Sequence, residues 1–111
     1  MSTTGDDVRE VAMSLPETTE EFAWGMPIFR VARKLFLTLP EEETSIAVRC
    51  PVLERDELVR AEPEKFWVAP HEATQAWVRV RLAALEDRGE LTDIVRDSWR
   101  QAAPKHLIDG D

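Results

Sequence analysis

Hydrophobic and polar positions change period several times along this chain, and each change predicts a new element. Val8, Val11, Ala12 and Leu15 fall at i, i+3, i+4 and i+7, the spacing that lines one face of a helix. Asp6 or Asp7 stands ready to cap it, Asp7 with Glu10 has capping-box spacing, and Pro16 stops it, because a proline pushes its predecessor out of the helical region. Glu17-Thr18-Thr19-Glu20-Glu21 is polar throughout and reads as a connection. From Phe22 to Val31 and again from Lys34 to Leu39 the chain is rich in β-branched and aromatic residues, which predicts strands meeting in a hairpin at Ala32-Arg33. Pro40-Glu41-Glu42-Glu43 reads as a solvated turn. Thr44–Arg49 then alternates, with Ile46 and Val48 on one side and Ala47 and Arg49 on the other.

Pro51 suits the first turn of a second helix, with Leu53, Glu57, Leu58 and Ala61 along its inner edge and Pro63 at its end. Two apolar-aromatic runs follow, Phe66–Ala69 and Ala76–Leu82, facing each other across a short polar connection. In the second run Val78, Val80 and Leu82 share one side, while Trp77, Arg79 and Arg81 share the other. A period of two marks a strand with one buried face. The last helix is predicted from about Asp87 to Ala103, with Leu91, Ile94, Val95, Ser98, Trp99 and Ala102 at helical spacing and Pro104 as its stop. The expected order is α-β-β-β-α-β-β-α. That is one α+β domain over residues 1–111, an antiparallel sheet of about five strands packed against helices.

Composition narrows the function classes. A content of 43% hydrophobic and 32% charged residues is that of a globular chain and excludes global disorder. The single cysteine excludes an internal disulfide. No apolar run approaches the roughly 18 residues of a membrane span, and the acidic, polar start is unlike a signal peptide, so the expected location is the cytoplasm. A net charge of −8 argues against indiscriminate binding to nucleic acid or anionic membrane. Charge distribution is more informative than the total. Segments 22–39, 44–50 and 73–85 hold Arg30, Arg33, Lys34, Arg49, Arg79 and Arg81 and no acid, which leaves all 22 acidic residues to the remainder.

Candidate chemistry is sparse. Cys50, His71 and His106 are the only soft or imidazole ligands, and none stands in a pair with zinc-type spacing, so no metal site is expected. The acidic first helix and the loop after it offer only weak hard-cation ligands. Cys50 shares the parity of Ile46 and Val48 and is expected to be buried and inert. The chain has no Gly-x-Ser-x-Gly elbow, phosphate-cradling glycine loop or dinucleotide fingerprint, so no catalytic residue and no cofactor are assigned and an enzyme is not expected. Trp24, Trp67 and Trp99 read as core.

The sheet face is what remains. Strand parity puts Arg30, Arg49, Trp77, Arg79 and Arg81 on one surface, with Lys34, Phe36 and Thr38 near it. Guanidinium groups pair with phosphates and rings stack on bases, so Arg30, Lys34, Arg49, Trp77, Arg79 and Arg81 are the candidate nucleic-acid site, with single strands favoured. On a second reading the arginines pair with glutamates from neighbouring loops and merely solubilise an exposed sheet, and the partner is an unknown protein or small ligand.

Several stretches together resemble the MmcQ/YjbR family of small bacterial proteins. They are Leu15-Pro16-Glu17-Thr18, Gly25-Met26-Pro27-Ile28-Phe29-Arg30-Val31, Lys34-Leu35-Phe36, Phe66-Trp67-Val68-Ala69-Pro70-His71, Trp77-Val78-Arg79-Val80-Arg81-Leu82 and Asp97-Ser98-Trp99. The resemblance implies a fold like that of CyaY, the bacterial frataxin, and a DNA-binding role. It brings no catalytic motif, and the likeness to CyaY implies iron binding only by analogy of fold. Ala32-Arg33 replaces the glycine-containing turn common in similar sequences. Glu72 stands where an aromatic is frequent.

Overall fold

The computed structural model describes residues 3–40 and 42–109. Four helices, α1 (Gly5–Met13), α2 (Val52–Ala61), α3 (Arg88–Ala102) and α4 (Lys105–Asp109), accompany six strands: β1 (Thr18–Ala23), β2 (Met26–Val31), β3 (Lys34–Thr38), β4 (Ser45–Arg49), β5 (Phe66–Trp67) and β6 (Trp77–Arg81). The strands form one antiparallel sheet in the order β1-β2-β3-β4-β6-β5. Its helix side, under α1 and α3, carries the core.

The sheet has six strands, not five, because the polar stretch after Pro16 is itself a strand. β1 is an edge strand, mostly exposed, so no alternation of apolar residues marks it. It turns into β2 through Trp24 and Gly25, both at positive φ, +53° and +78°. That is the left-handed geometry of a two-residue hairpin turn, and glycine adopts it without steric cost. The predicted Phe22–Val31 strand is therefore two strands. The β2–β3 turn falls at Ala32 and Arg33 as expected, again at positive φ (+49° and +71°), in residues that rarely adopt it.

Helix boundaries follow caps more closely than periodicity. α1 starts two or three residues earlier than Asp6 or Asp7 as cap would require. Thr4 is its N-cap, accepting from the Asp7 N–H, and Asp7 is the N3 member of the box, accepting from the Thr4 N–H at 2.9 Å. α3 is capped by Asp87, which accepts from the Glu90 N–H at 2.9 Å, and buries Leu91, Val95, Ser98, Trp99 and Ala102 as predicted. α2 departs from its predicted inner edge. Leu53 is 82% exposed, Leu58 is half-buried, and the one fully buried side chain of the helix is Arg55.

A bulge in β3 decides which side chains share a face. Arg30 pairs with Leu35 but Phe29 pairs with Leu37, so Phe36 is an extra residue. Phe36 and Leu37 both enter the core, and Phe36 is not on the basic face where simple alternation places it. The bulge also opens the β3–β4 ladder, which Ser98 of α3 closes. Its hydroxyl donates to the Phe36 carbonyl and accepts from the Arg49 N–H at 2.9 Å. The Trp99 indole N–H likewise donates to the Pro16 carbonyl at 3.1 Å, tying α3 to the end of the α1 connection.

Candidate functional site on the open sheet face

The face turned away from α1 and α3 carries Arg30, Arg49, Trp77, Arg79 and Arg81, as the strand parities predict. Lys34 is not among them. It pairs with Val31, a core residue, and directly opposed residues of an antiparallel pair point to the same side, so Lys34 belongs to the helix side at the hairpin tip. It is exposed and has no partner among the described residues.

Each arginine of the open face is already engaged. Arg79 holds Glu72 in a bidentate pair, Nε and Nη2 each 2.9 Å from a carboxylate oxygen. Arg30 lies 3.4 Å from Glu21 and donates to the Arg33 carbonyl at 3.1 Å. Arg49 donates from Nε to the Leu35 carbonyl at 2.6 Å and sits over the Trp77 ring, 5.2 Å from its centroid. Arg81 donates to the Glu64 carbonyl and covers the Trp67 ring at 5.1 Å. Only Arg79 takes a glutamate from a neighbouring loop, as the second sequence reading expects; Arg30 takes one from β1, and Arg49 and Arg81 take carbonyls and rings instead.

Glu72 reaches Arg79 because its loop is held from behind. The Arg55 guanidinium, 4% exposed as a residue, donates to the carbonyls of Gln75 (2.7 Å), Ala73 (3.1 Å), Trp77 (3.3 Å) and Glu72 (3.4 Å). A buried charge requires such hydrogen bonding, and here it fixes the 3-10 turn Pro70–Glu72 and the segment that follows it. Nothing local in the sequence distinguishes Arg55 from the other arginines of α2 and α3.

Between that loop and the β1–β2 turn lies a cleft of about 280 Å³. Trp24 and Trp77 wall it, Met26 and Leu35 contribute apolar surface, and Glu72 with Arg79 supplies its polar side. Trp24 is 71% exposed, not core as its type suggested; Trp67 is half-buried, and only Trp99 of the three is fully enclosed. The signal for Trp24 was Gly25, a turn residue between two apolar runs. Two indoles and a tethered ion pair can accept a flat ring and one or two hydrogen bonds, in a space near the lower end of small-ligand sites.

Of the remaining candidates of the sequence, Cys50 lies on the helix side and His71 lines the cleft. Cys50 is 6% exposed, and its thiol is pushed up to about 11, first by burial and then by the charges of Glu54 and Asp97, so it is protonated at neutral pH. His71 projects beside Glu72, its Nε2 3.5 Å from Glu72 Oε2 and from Arg79 Nη2. Among the described residues no three His, Cys, Asp or Glu side chains converge as metal ligands, and no helix is long and apolar enough to cross a membrane.

Comparison with known proteins places this architecture. The crystal structure of Deinococcus radiodurans protein DR2400, family-model domain DUF419, superposes with a TM-score of 0.74 at 22% identity, over 89% of this chain and 80% of that one. At that identity the likeness is one of fold. No curated protein matches. The YjbR family model matches residues 13–101, a span from the last turn of α1 to the last turn of α3, and the chain belongs to the YjbR family.

Proposed function

We propose that this chain is a small non-enzymatic binding module whose ligand enters the cleft between Trp24 and Trp77. The observation that carries the reading is an indole at the β1–β2 turn, 71% exposed, that lines one cleft together with a second indole and the apolar side chains of Met26 and Leu35. Leaving large aromatic surface in water is unfavourable, and a flat ring placed between the two would cover it. The Glu72–Arg79 pair beside them supplies a directional acceptor and donor. A ring-bearing small molecule meets those requirements.

Single-stranded nucleic acid is the second reading, favoured by Arg33 and Lys34. Both are exposed at the β2–β3 turn, and neither side chain has a partner among the described residues. An unpaired base offers the same flat ring, and those cations, at the other end of β2, would meet phosphates further along the strand. A duplex is disfavoured. The net charge is −8, and Arg30 and Arg79 are already neutralised by Glu21 and Glu72.

Amide and indole N–H resonances followed during titration with indole, a purine nucleoside and a short oligothymidylate test both readings. The expected result is movement of the Trp24 and Trp77 indole signals, lost in Trp77→Ala with a drop of about 1–3 kcal/mol in affinity. Steep salt dependence for the oligonucleotide alone would favour the strand. If no ring ligand moves either indole signal, the cleft is not a binding site.

A further inference from the structure

On the helix side, away from that cleft, α2 and α3 leave a groove between them. Its floor is apolar: Cys50, Phe66 and Val78 are buried, and half-buried Leu58 and Ile94 form the walls. The deeper part measures about 230 Å³, and it continues past Leu58 and Cys50 into a second depression of about 410 Å³. Leu53, four residues before Glu57 and eight before Ala61, extends the same side of α2 and is 82% exposed.

The rim is acidic on both sides, with Glu54 and Glu57 from α2 and Asp93 and Asp97 from α3. Several carboxylates elsewhere in this protein are gathered around cations. Arg9 takes Asp6, Glu20 and Glu43, Lys65 takes Glu62 and Glu90, and Arg88 takes Asp7 and Glu10. At the groove Glu54, Glu57 and Asp93 have no partner among the described residues, and Asp97 accepts only a neutral amide, from Gln101 at 2.9 Å. Arg49 borders the floor but sends its guanidinium to Leu35 and Trp77 on the opposite face of the sheet. Four carboxylates thus flank a greasy trough, and among the described residues none of them has an ion-pairing cation.

We infer that this groove docks a short segment of a partner protein in which one or two large apolar side chains are flanked by lysine or arginine. The apolar side chains would cover Leu58, Ile94 and Phe66, the cations would meet the two acidic rims, and an acidic or nucleic-acid partner would be repelled. The negative fields of Glu54 and Asp97 at the Cys50 thiol, each larger than the opposing field of Arg55, point the same way.

Selection from a display library of random peptides about a dozen residues long, on the full chain, tests the assignment. Enriched peptides should carry Lys or Arg beside large apolar residues and should shift the resonances of Leu58 and Ile94. Their affinity should fall about tenfold or more in the Glu57→Gln/Asp93→Asn/Asp97→Asn variant, and fall with added salt. All three positions are exposed, so the variant should melt close to the parent, and thermal unfolding checks this. Any one of three results would overturn the proposal: no enrichment above an unrelated acidic protein, enriched peptides without basic residues, or undiminished binding to the triple variant. Sedimentation showing a dimer that blocks the peptides would give the groove to a second copy of the chain and overturn it as well.

Discussion

On the helix side of β6, Val78 and Val80 are enclosed by the core. On the other side of the same strand, Arg79 and Arg81 each find a specific partner, Glu72 and the Glu64 carbonyl. The two faces of the sheet are thus held by different physics. Apolar burial is non-directional and scales with area, so the helix side needs only side chains of the right size and period. The open face has no helix of that kind over it, although Ile28 and Ala47 at its centre are buried. Its long cationic side chains are fixed one at a time by carboxylates, carbonyls and rings, each contact contributing little near solvent. Stability therefore resides under α3, and the open face keeps exposed aromatic surface at Trp24 that a ligand can cover.

The contrast breaks most easily at Trp99, which is fully enclosed and bonded to the Pro16 carbonyl. Trp99→Ala should cost about 3–5 kcal/mol in denaturant unfolding. A loss under ~1 kcal/mol would mean that α3 is not the main support of the sheet.

Ser98→Ala sharpens the comparison by removing one polar bridge from the apolar side. It leaves the Phe36 carbonyl and the Arg49 N–H without their partner at the bulge, and an unmade buried hydrogen bond costs roughly 1–3 kcal/mol. Faster amide exchange at Arg49 should accompany the loss. An unchanged exchange rate would show that water takes over the bridge.

The smallest effect belongs to the open face. Arg79→Ala removes a well-formed bidentate pair whose side chains are only 17% and 13% exposed, and the expected change in unfolding free energy is about 1–2 kcal/mol, above that of a surface pair. Its consequence should instead be local, a looser Pro70–Glu72 turn seen in relaxation measurements. A loss as large as that of Trp99→Ala would erase the distinction between the two faces.

How much of this was legible in the sequence can be judged residue by residue. The alternation in β6 put Val78 and Val80 inward and Arg79 and Arg81 outward, and the helical spacing in α3 selected Leu91, Val95, Ser98 and Trp99, all buried. These readings hold because periodicity is a local property and one face of each element is covered. β1 escaped notice because an edge strand paired on one side and mostly exposed leaves no hydrophobic signature in Thr-Thr-Glu-Glu-Phe-Ala. α4 follows directly on Pro104, which was read as the end of α3 and not as the start of a further turn.

The sequence by itself therefore determined the periods and the stops, which depend on near neighbours; it did not keep acid off every strand, because β1 carries Glu20 and Glu21. Tertiary structure decided the rest. Only assembled neighbours could bury Arg55 against the carbonyls of Glu72, Ala73, Gln75 and Trp77, turn Phe36 into the core through a bulge, carry Lys34 to the helix side, and pair Arg79 with Glu72. A long charged side chain can reach many partners, and which one it takes depends on groups far away in the chain. Its role is set only when the fold brings those groups within about 3 Å.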